Sequence, residues 1–210
     1  MTIQLENIGR RFNKEWIFRN VDTTFQHEKC YGIIGGNGSG KSTFVQLISG
    51  FLIPSEGKII YESENTIIPS ENIFKQLSFA SPFLELYDEY TAEELFAFQS
   101  SLKPMKKGID KKSFIELLEL SNIKNKALKN YSSGMRQRVK LALAILADTP
   151  LLLLDEPCTN LDRNAKEWYK NLLREHSGKR LIFVSSNSDD DEMFLCDEIM
   201  NIENYKRKIS

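Results

Sequence analysis

The stretch GGNGSGKS, residues 35–42, decides the fold that this sequence is expected to adopt. It matches the pattern Gly, any four residues, Gly-Lys-Ser/Thr, and it lies between the apolar run CYGII and an amphipathic segment that ends before Pro54. Glycines let the backbone N–H groups of such a loop turn inward, where they and the positive end of the following helix surround an anion. The sequence therefore predicts a phosphate-binding loop between a buried strand and a helix.

The residue types in this loop have separate expected tasks. Lys41 supplies a mobile positive charge for the β- and γ-phosphates of a nucleotide, and the Ser42 hydroxyl is a candidate Mg²⁺ ligand. The alternative, a glycine-rich turn without a ligand, is disfavoured by the correct placement of strand and helix. The residues predicted to bind ATP in this loop are Gly35, Gly36, Asn37, Gly38, Ser39, Gly40, Lys41, Ser42 and Thr43.

Two adjacent carboxylates follow the four leucines at residues 151–154. A continuous apolar run is typical of a strand that is buried on both faces, and open α/β sheets bind ligands at the carboxyl ends of such strands. We expect Asp155 to hold Mg²⁺ and Glu156 to act as the catalytic residue that polarises the attacking water. Taken alone, Asp-Glu-Pro is equally compatible with an ordinary turn, and the phosphate loop favours the catalytic interpretation.

Composition and charge limit the function classes. The 210-residue chain has a net charge of −1, so no basic excess predicts nucleic-acid binding. Its three cysteines are widely spaced and odd in number, which argues against a disulfide framework and a zinc site. The longest apolar stretch, at residues 141–154, is shorter than the roughly 20 residues of a membrane-spanning helix. The N-terminus has no apolar signal core, so we expect a cytoplasmic protein.

The chain is expected to form one domain over residues 1–210. Residues 3–34 alternate in polarity and predict antiparallel strands that lead into the buried strand. Thr91 and Glu94 form a capping-box pattern, and residues from about 85 to 132 predict a helical subdomain inserted in the α/β core. The expected fold class is α/β, with a mixed sheet, an N-terminal antiparallel β part and this helical subdomain.

The segment YSSGMRQR at residues 131–138 resembles the signature LSGGQxQR of the nucleotide-binding domain family of ABC transporters, which have a P-loop NTPase core. The resemblance implies that this segment acts on ATP held by a partner subunit, in a homodimer or heterodimer. The segment's predicted signature residues are Ser132, Ser133, Gly134 and Met135. The residue types alone are also compatible with a simple helix cap.

The same resemblance implies further roles. TNLD at residues 159–162 is similar to the D-loop, whose Asp162 would cross the dimer interface, and Phe12 resembles the position that stacks on adenine. Core packing is the alternative for Phe12. The family further implies ATP and Mg²⁺ as cofactors and a separate transmembrane permease, with this chain peripheral on the inner face of the cell membrane. Docking or subdomain packing is expected of Phe83, Leu84, Leu86, Tyr87 and Tyr90.

Two positions depart from the family pattern. Where the family has a glutamine after the strand at residues 77–80, this sequence has Ser81 or Pro82. The switch histidine is replaced by one of the residues 185–187, Ser-Ser-Asn. The leading hypothesis is an ATPase subunit that powers a permease, with slow or differently organised hydrolysis. The alternatives are an ATP-dependent dimerising regulatory module and a non-transport ABC ATPase; the retained Glu156 favours the first hypothesis.

Overall fold

The computed structural model describes residues 1–120 and 125–206. Its strands form two sheets of different type. The first is antiparallel, with strand order β2-β1-β4-β5, and consists of β1 (Thr2–Phe12), β2 (Glu15–Phe25), β4 (Glu56–Ser63) and β5 (Thr66–Ile68). The second is parallel, with order β6-β7-β8-β3-β9, and consists of β3 (Cys30–Ile34), β6 (Leu77–Ala80), β7 (Leu151–Asp155), β8 (Leu181–Ser186) and β9 (Glu198–Asn201).

The helices lie in the connections between strands of the chain. They are α1 (Lys41–Ile48), α2 (Ala92–Leu102), α3 (Lys111–Leu117), α4 (Ser133–Leu146), α5 (Arg163–His176) and α6 (Asp190–Met193). Short 3-10 segments cover Ser70–Gln76, Leu128–Asn130 and Ile202–Tyr205. Within residues 1–120 and 125–206, none of the helices combines the length and apolar character needed to cross a bilayer.

The predicted N-terminal antiparallel part forms a sheet of its own, and the core sheet is parallel rather than mixed. β1 and β2 pair antiparallel as predicted, but β3 leaves them and inserts between β8 and β9 of the parallel sheet. The capping box is confirmed at the start of α2, because the Glu94 N–H donates to Thr91 Oγ1 at 3.2 Å and the Thr91 N–H donates to Glu94 Oε2 at 2.8 Å. Of the predicted helical region, residues 121–124 lie outside the described residues.

The neighbouring strands β7 and β8 of the parallel sheet are buried on both faces, and all four leucines of β7 are fully buried. Because side chains of a strand alternate in direction, Leu151 and Leu153 pack in the core cluster that includes α1. Leu152 and Leu154 pack in the cluster that includes α4 and α5. The leucine run therefore contributes to two core clusters, one on each face of the sheet. It ends at Asp155 on the carboxyl edge of the sheet.

Replacing Leu153 by alanine is expected to lower the free energy of unfolding by about 2–5 kcal/mol, because the truncated side chain leaves a cavity on the α1 side of the sheet. Urea denaturation of the purified chain measures this difference. The control is Leu102→Ala at a position that is 64% exposed, where a change within about 0.5 kcal/mol is expected. Equal destabilisation by the two substitutions would contradict the assignment of β7 to the core.

Candidate functional site

The carboxyl ends of four neighbouring parallel strands carry the predicted chemistry. In the order β6-β7-β8-β3, these ends lead to Ser81, to the pair Asp155 and Glu156, to Asn187, and to the glycine loop that precedes α1. The edge formed by carboxyl ends is where open α/β sheets bind ligands. Residues that are far apart in sequence therefore meet at one edge because the strands are parallel and adjacent.

The glycine loop takes a conformation that other residues would not adopt easily. Gly40 has φ of 105°, and a Cβ atom built on it would lie 2.4 Å from the Ile17 side chain. Gly38 has φ of 73° and open space around it. Helix α1 begins at the next residue, Lys41, so its first N–H groups have no acceptor within the helix. The loop thus combines close packing against β2 with free donors at a helix start.

The Lys41 ammonium group is held across the mouth of this loop. The side chain is 4% exposed, and Nζ donates to the carbonyl oxygens of Gly35 at 2.9 Å and Gly36 at 3.3 Å. It also donates to Asn187 Oδ1 at 2.5 Å and lies 3.8 Å from Glu156 Oε1. A buried charge requires such partners, and these contacts fix the position of the ammonium between the loop and the end of β8.

Asp155 is a buried carboxylate that accepts three hydroxyl hydrogen bonds. The Ser42 hydroxyl donates to Oδ1 at 3.1 Å, the Ser185 hydroxyl donates to the same oxygen, and the Ser81 hydroxyl donates to Oδ2 at 3.2 Å. Asp155 itself is 1% exposed. The donors come from α1, from the end of β8 and from the segment after β6, so the carboxylate joins three elements of the fold.

The oxygen atoms at this point suit a small hard cation. Ser42 Oγ and Asp155 Oδ1 lie 3.1 Å apart, and both are the oxygen ligands that Mg²⁺ prefers. In residues 1–120 and 125–206, no group of three or more His, Cys, Asp or Glu side chains is arranged to hold a metal. Mg²⁺ is typically bound through one or two carboxylates together with substrate phosphates, so this sparse set fits Mg²⁺ in company with a nucleotide.

Glu156 lies directly after the buried carboxylate and faces the loop. Its φ of 45° is left-handed, an uncommon backbone state that costs a non-glycine residue about 1–2 kcal/mol. Its N–H donates to the Ser185 carbonyl oxygen at 3.0 Å, and its side chain is 30% exposed. The Asn187 amide donates to Glu156 Oε1 at 3.3 Å. Asn187 therefore bridges Lys41 and Glu156.

The three residues predicted to stand in place of the switch histidine, Ser185, Ser186 and Asn187, make different contacts. Ser185 bonds Asp155, whereas the Ser186 hydroxyl is buried and accepts the N–H of Asp189 at 2.9 Å. Of these three, Asn187 is the residue whose side chain bonds both the Lys41 ammonium and the Glu156 carboxylate. The sequence left these residues as alternatives, and the geometry brings Asn187 to the site.

The two residues predicted to stand in place of the family's glutamine, Ser81 and Pro82, also make different contacts. The Ser81 hydroxyl faces Asp155, whereas the Pro82 carbonyl oxygen accepts a hydrogen bond from Lys140 Nζ at 3.0 Å. Burial lowers the pKa of Lys140. The sequence does not predict the contact of Ser81 with Asp155, because this contact depends on the register of β6 beside β7.

A pocket of about 420 Å³ opens over the loop. Ile17, Phe83 and Glu156 line it together with residues 37–43. The predicted adenine-stacking residue Phe12 lies at the end of β1, is 44% exposed and stacks on the Arg10 guanidinium at 4.5 Å. Phe12 is outside the lining of this pocket, whereas Ile17, which sequence reasoning missed, belongs to it.

The predicted signature segment and the predicted D-loop both line a second pocket, of about 380 Å³. Ser132 is the N-cap of α4 and accepts the Met135 N–H at 3.2 Å, and Asp162 is the N-cap of α5. A Cβ atom on Gly134 would lie 2.9 Å from the Asn160 carbonyl oxygen, so glycine permits the close approach of the two segments. The two pockets have no lining residue in common.

Comparison with known proteins agrees with this geometry. The family profile described as "ABC transporter" matches residues 18–159. The chain belongs to the ABC transporter family. An uncharacterized ABC transporter ATP-binding protein of Bacillus subtilis is 27% identical, over 99% of this chain and 95% of its own length. Human ATP-binding cassette sub-family A member 10 is 33% identical over 98% of this chain, which spans only 14% of that protein.

Solved structures support the fold of this ABC transporter family member. A structure described as a putative ABC transporter ATP-binding protein from Pyrococcus furiosus superposes with a TM-score of 0.82 at 23% identity. The match covers 99% of this chain and all of that one. The predicted family and the predicted α/β fold class are therefore confirmed.

Proposed function

We propose that this chain is an ATP-binding and ATP-hydrolysing subunit that powers a separate membrane permease. The observation that carries the proposal is the position of the Lys41 ammonium, held by the Gly35 and Gly36 carbonyl oxygens and 3.8 Å from Glu156. A loop that presents helix N–H groups beside a fixed ammonium suits a polyphosphate, and the adjacent carboxylate suits hydrolysis. The relatives named as ATP-binding proteins support the same assignment.

The phosphates of ATP would lie in the loop. The Ser39 hydroxyl is buried against Gly35 and has no hydrogen-bond partner among the described residues. A phosphate oxygen that reached into the loop would supply an acceptor for it and for the free N–H groups at the start of α1. The proposed ATP-binding residues in the loop are Gly35, Gly36, Asn37, Gly38, Ser39, Gly40, Lys41, Ser42 and Thr43, and Phe12 remains the proposed adenine contact.

Ser42 and Asp155 would hold Mg²⁺ beside these phosphates. When bound, the ion supplies positive charge that offsets the charge developing on the transferred phosphoryl group. Ser81 and Ser185 fix the Asp155 carboxylate from two further directions, which is how outer hydrogen bonds orient a metal ligand. In this arrangement Ser81 acts through Asp155, at the point where the family pattern has glutamine.

Glu156 is the proposed catalytic residue. Its partly exposed carboxylate faces the loop pocket, where it would orient and deprotonate the water that attacks the γ-phosphate. Asn187 donates to this carboxylate and accepts from Lys41, so one amide sets the relative position of the base and the phosphate-binding charge. Asn187 thereby supplies the link between the end of β8 and the phosphates, without a titrating group.

A dimer would complete the site. The signature pocket, with Ser132, Ser133, Gly134 and Met135, is separate from the loop pocket of the same chain. The start of α4 offers N–H groups to an anion, and in a head-to-tail homodimer or heterodimer they would face the partner's ATP. Asp162 lines the same pocket and would lie at that interface. The near-neutral charge of the chain gives no support to nucleic acid as a further partner.

The proposed permease contact is an apolar groove of about 310 Å³ between β6, α2 and α4. Leu84, Tyr87 and Phe98 line it and are at least partly exposed, whereas Leu86 packs on the core. Lys103 and Lys140 lie at the same groove. We assign it to a short permease helix with an apolar face and an acidic end, which would hold this chain on the inner face of the membrane.

Hydrogen bonds link this groove to the proposed nucleotide site. Lys140 lines the groove and donates to the carbonyl oxygens of Ser81 at 3.4 Å and Pro82 at 3.0 Å. The Ser81 hydroxyl in turn bonds the buried carboxylate of Asp155. A helix that moved Lys140 would therefore act on the proposed metal ligand through two hydrogen bonds.

Replacing Glu156 by glutamine is expected to lower phosphate release from Mg-ATP by about a hundredfold or more, because the neutral amide cannot accept the proton of water. Binding of Mg-ATP should persist, and gel filtration with Mg-ATP should then detect a dimer. The matched control is Glu175→Gln at an exposed position of α5, which should release phosphate at the wild-type rate. A wild-type protein that binds ATP but releases no more phosphate than Glu156→Gln would contradict the ATPase proposal.

Replacing Asn187 by alanine is expected to reduce phosphate release about tenfold while leaving ATP affinity within about threefold. The substitution removes one hydrogen bond from Glu156 and one from Lys41. The expected rate loss of about 1.5 kcal/mol assigns the catalytic effect to the bond with Glu156, a single hydrogen bond to a charged group. Steady-state kinetics at saturating Mg-ATP checks the result, with Asn171→Ala on the exposed face of α5 as control. An unchanged rate would show that the bridge has no catalytic role.

Replacing Tyr87 by alanine is expected to weaken permease binding about tenfold or more, because aromatic side chains at the centre of a groove dominate such contacts. Phe74→Ala is the matched control, since Phe74 is 57% exposed and Tyr87 is 59% exposed, and Phe74 is not a lining residue of the groove. The measurement is recovery of a co-expressed multi-spanning membrane protein encoded beside this chain. Equal recovery with both variants would place the permease contact elsewhere.

A further inference from the structure

Two cysteines that are 166 positions apart in sequence lie in contact. Cys30 begins β3, and Cys196 lies in the turn between α6 and β9. Their Sγ atoms are 3.4 Å apart. The surrounding backbone holds this pair together, because the Cys30 N–H donates to Asp197 Oδ2 at 2.8 Å and the Asp197 N–H donates to the Cys30 carbonyl oxygen at 2.8 Å. The proximity is therefore built into the pairing of β9 with β3.

The two thiols differ in access to solvent. Cys30 is 5% exposed, and its contact with Cys196 together with burial raises its pKa. Cys196 is partly exposed, so it is the thiol that a solute reaches first. The third cysteine, Cys158, is also 5% exposed, and burial raises its pKa. The chain thus contains one accessible thiol, Cys196, with one buried neighbour, Cys30, and a third, buried cysteine, Cys158, that serves as an internal reference.

We propose that Cys30 and Cys196 form a reversible regulatory disulfide when the protein meets a peroxide. In the first step the Cys196 sulfur attacks the O–O bond of hydrogen peroxide, which yields a sulfenic acid at Cys196 and one water. In the second step the Cys30 sulfur displaces the hydroxyl group from the Cys196 sulfur, which forms the S–S bond and releases a second water. Two thiols are oxidised and one peroxide is reduced to two waters, and a dithiol reductant reverses the change.

The bond requires a small local movement. An S–S bond of about 2.05 Å brings the two sulfur atoms closer by roughly 1.4 Å. The movement falls on the segment of α6 and the following turn, because β3 lies inside the sheet between β8 and β9. Met193 in this segment packs on Gly32, where a Cβ atom would lie 1.9 Å from the Met193 side chain. The disulfide would therefore tie the turn before β9 to the strand that enters the phosphate loop.

Mass spectrometry of the full-length chain tests this inference without reference to nucleotide. After mild hydrogen peroxide treatment, denaturation and alkylation, the three free thiols should fall to one, and digestion should yield a Cys30–Cys196 linked peptide. Dithiothreitol should restore three. The oxidised chain should also melt about 5 °C or more higher, because the bond closes a long loop in the unfolded chain.

Cys158→Ser is the matched control and should retain the crosslink, whereas Cys196→Ser should lose it. In Cys30→Ser, Cys196 should accumulate a sulfenic acid that dimedone traps, because the resolving thiol is gone. Oxidation of Cys196 in the wild type to sulfinic or sulfonic acid without a crosslink would overturn the proposal. A bond that joins two chains, or one that includes Cys158, would overturn it as well. None of these outcomes depends on ATP binding, so they are separate from the proposed function.

Discussion

The rest of the site depends on the hydrogen bonds that the buried carboxylate of Asp155 accepts. It is 1% exposed and accepts hydroxyl hydrogen bonds from Ser42, Ser81 and Ser185. A carboxylate in this position without partners would be costly to bury. The three serines supply those partners and, because each belongs to a different element, they also fix α1, the segment after β6 and the end of β8 relative to β7. Stability and site geometry therefore depend on the same set of bonds.

The second constraint is the charge of Lys41. Its ammonium is almost fully buried, so it needs acceptors, and the loop carbonyl oxygens, Asn187 and the nearby Glu156 provide them. These contacts hold the loop in place at the mouth of the pocket. Anionic phosphate oxygens would compete for the same ammonium, since its contact with an anionic acceptor is stronger than its contact with a neutral carbonyl. The Lys41 ammonium therefore lies where it could bind an anionic phosphate group.

The sequence predicted the elements whose signal is local. The glycine loop, the leucine run before Asp155 and the Thr91 capping box each depend on residues within a few positions, and the structure has these elements where they were expected. Strand registry is not local, so the choice of Asn187 over Ser186, and of Ser81 over Pro82, could not be made from the sequence. The contact of Cys30 with Cys196 had no signal either, because it arises from the pairing of β3 with β9. The same holds for Ile17, which reaches the loop pocket through the antiparallel sheet.

The predicted replacement of the family glutamine by Ser81 would have a physical consequence for the proposed coupling to a permease. A glutamine side chain is long and has several rotatable bonds, whereas serine places its hydroxyl close to the backbone. The position of the Ser81 hydroxyl on Asp155 is therefore determined by the backbone of the segment after β6. That backbone is bonded through the carbonyl oxygens of Ser81 and Pro82 to Lys140, which lines the apolar groove. A shift at the groove would thus reach Asp155 through the main chain, with little side-chain freedom to absorb it.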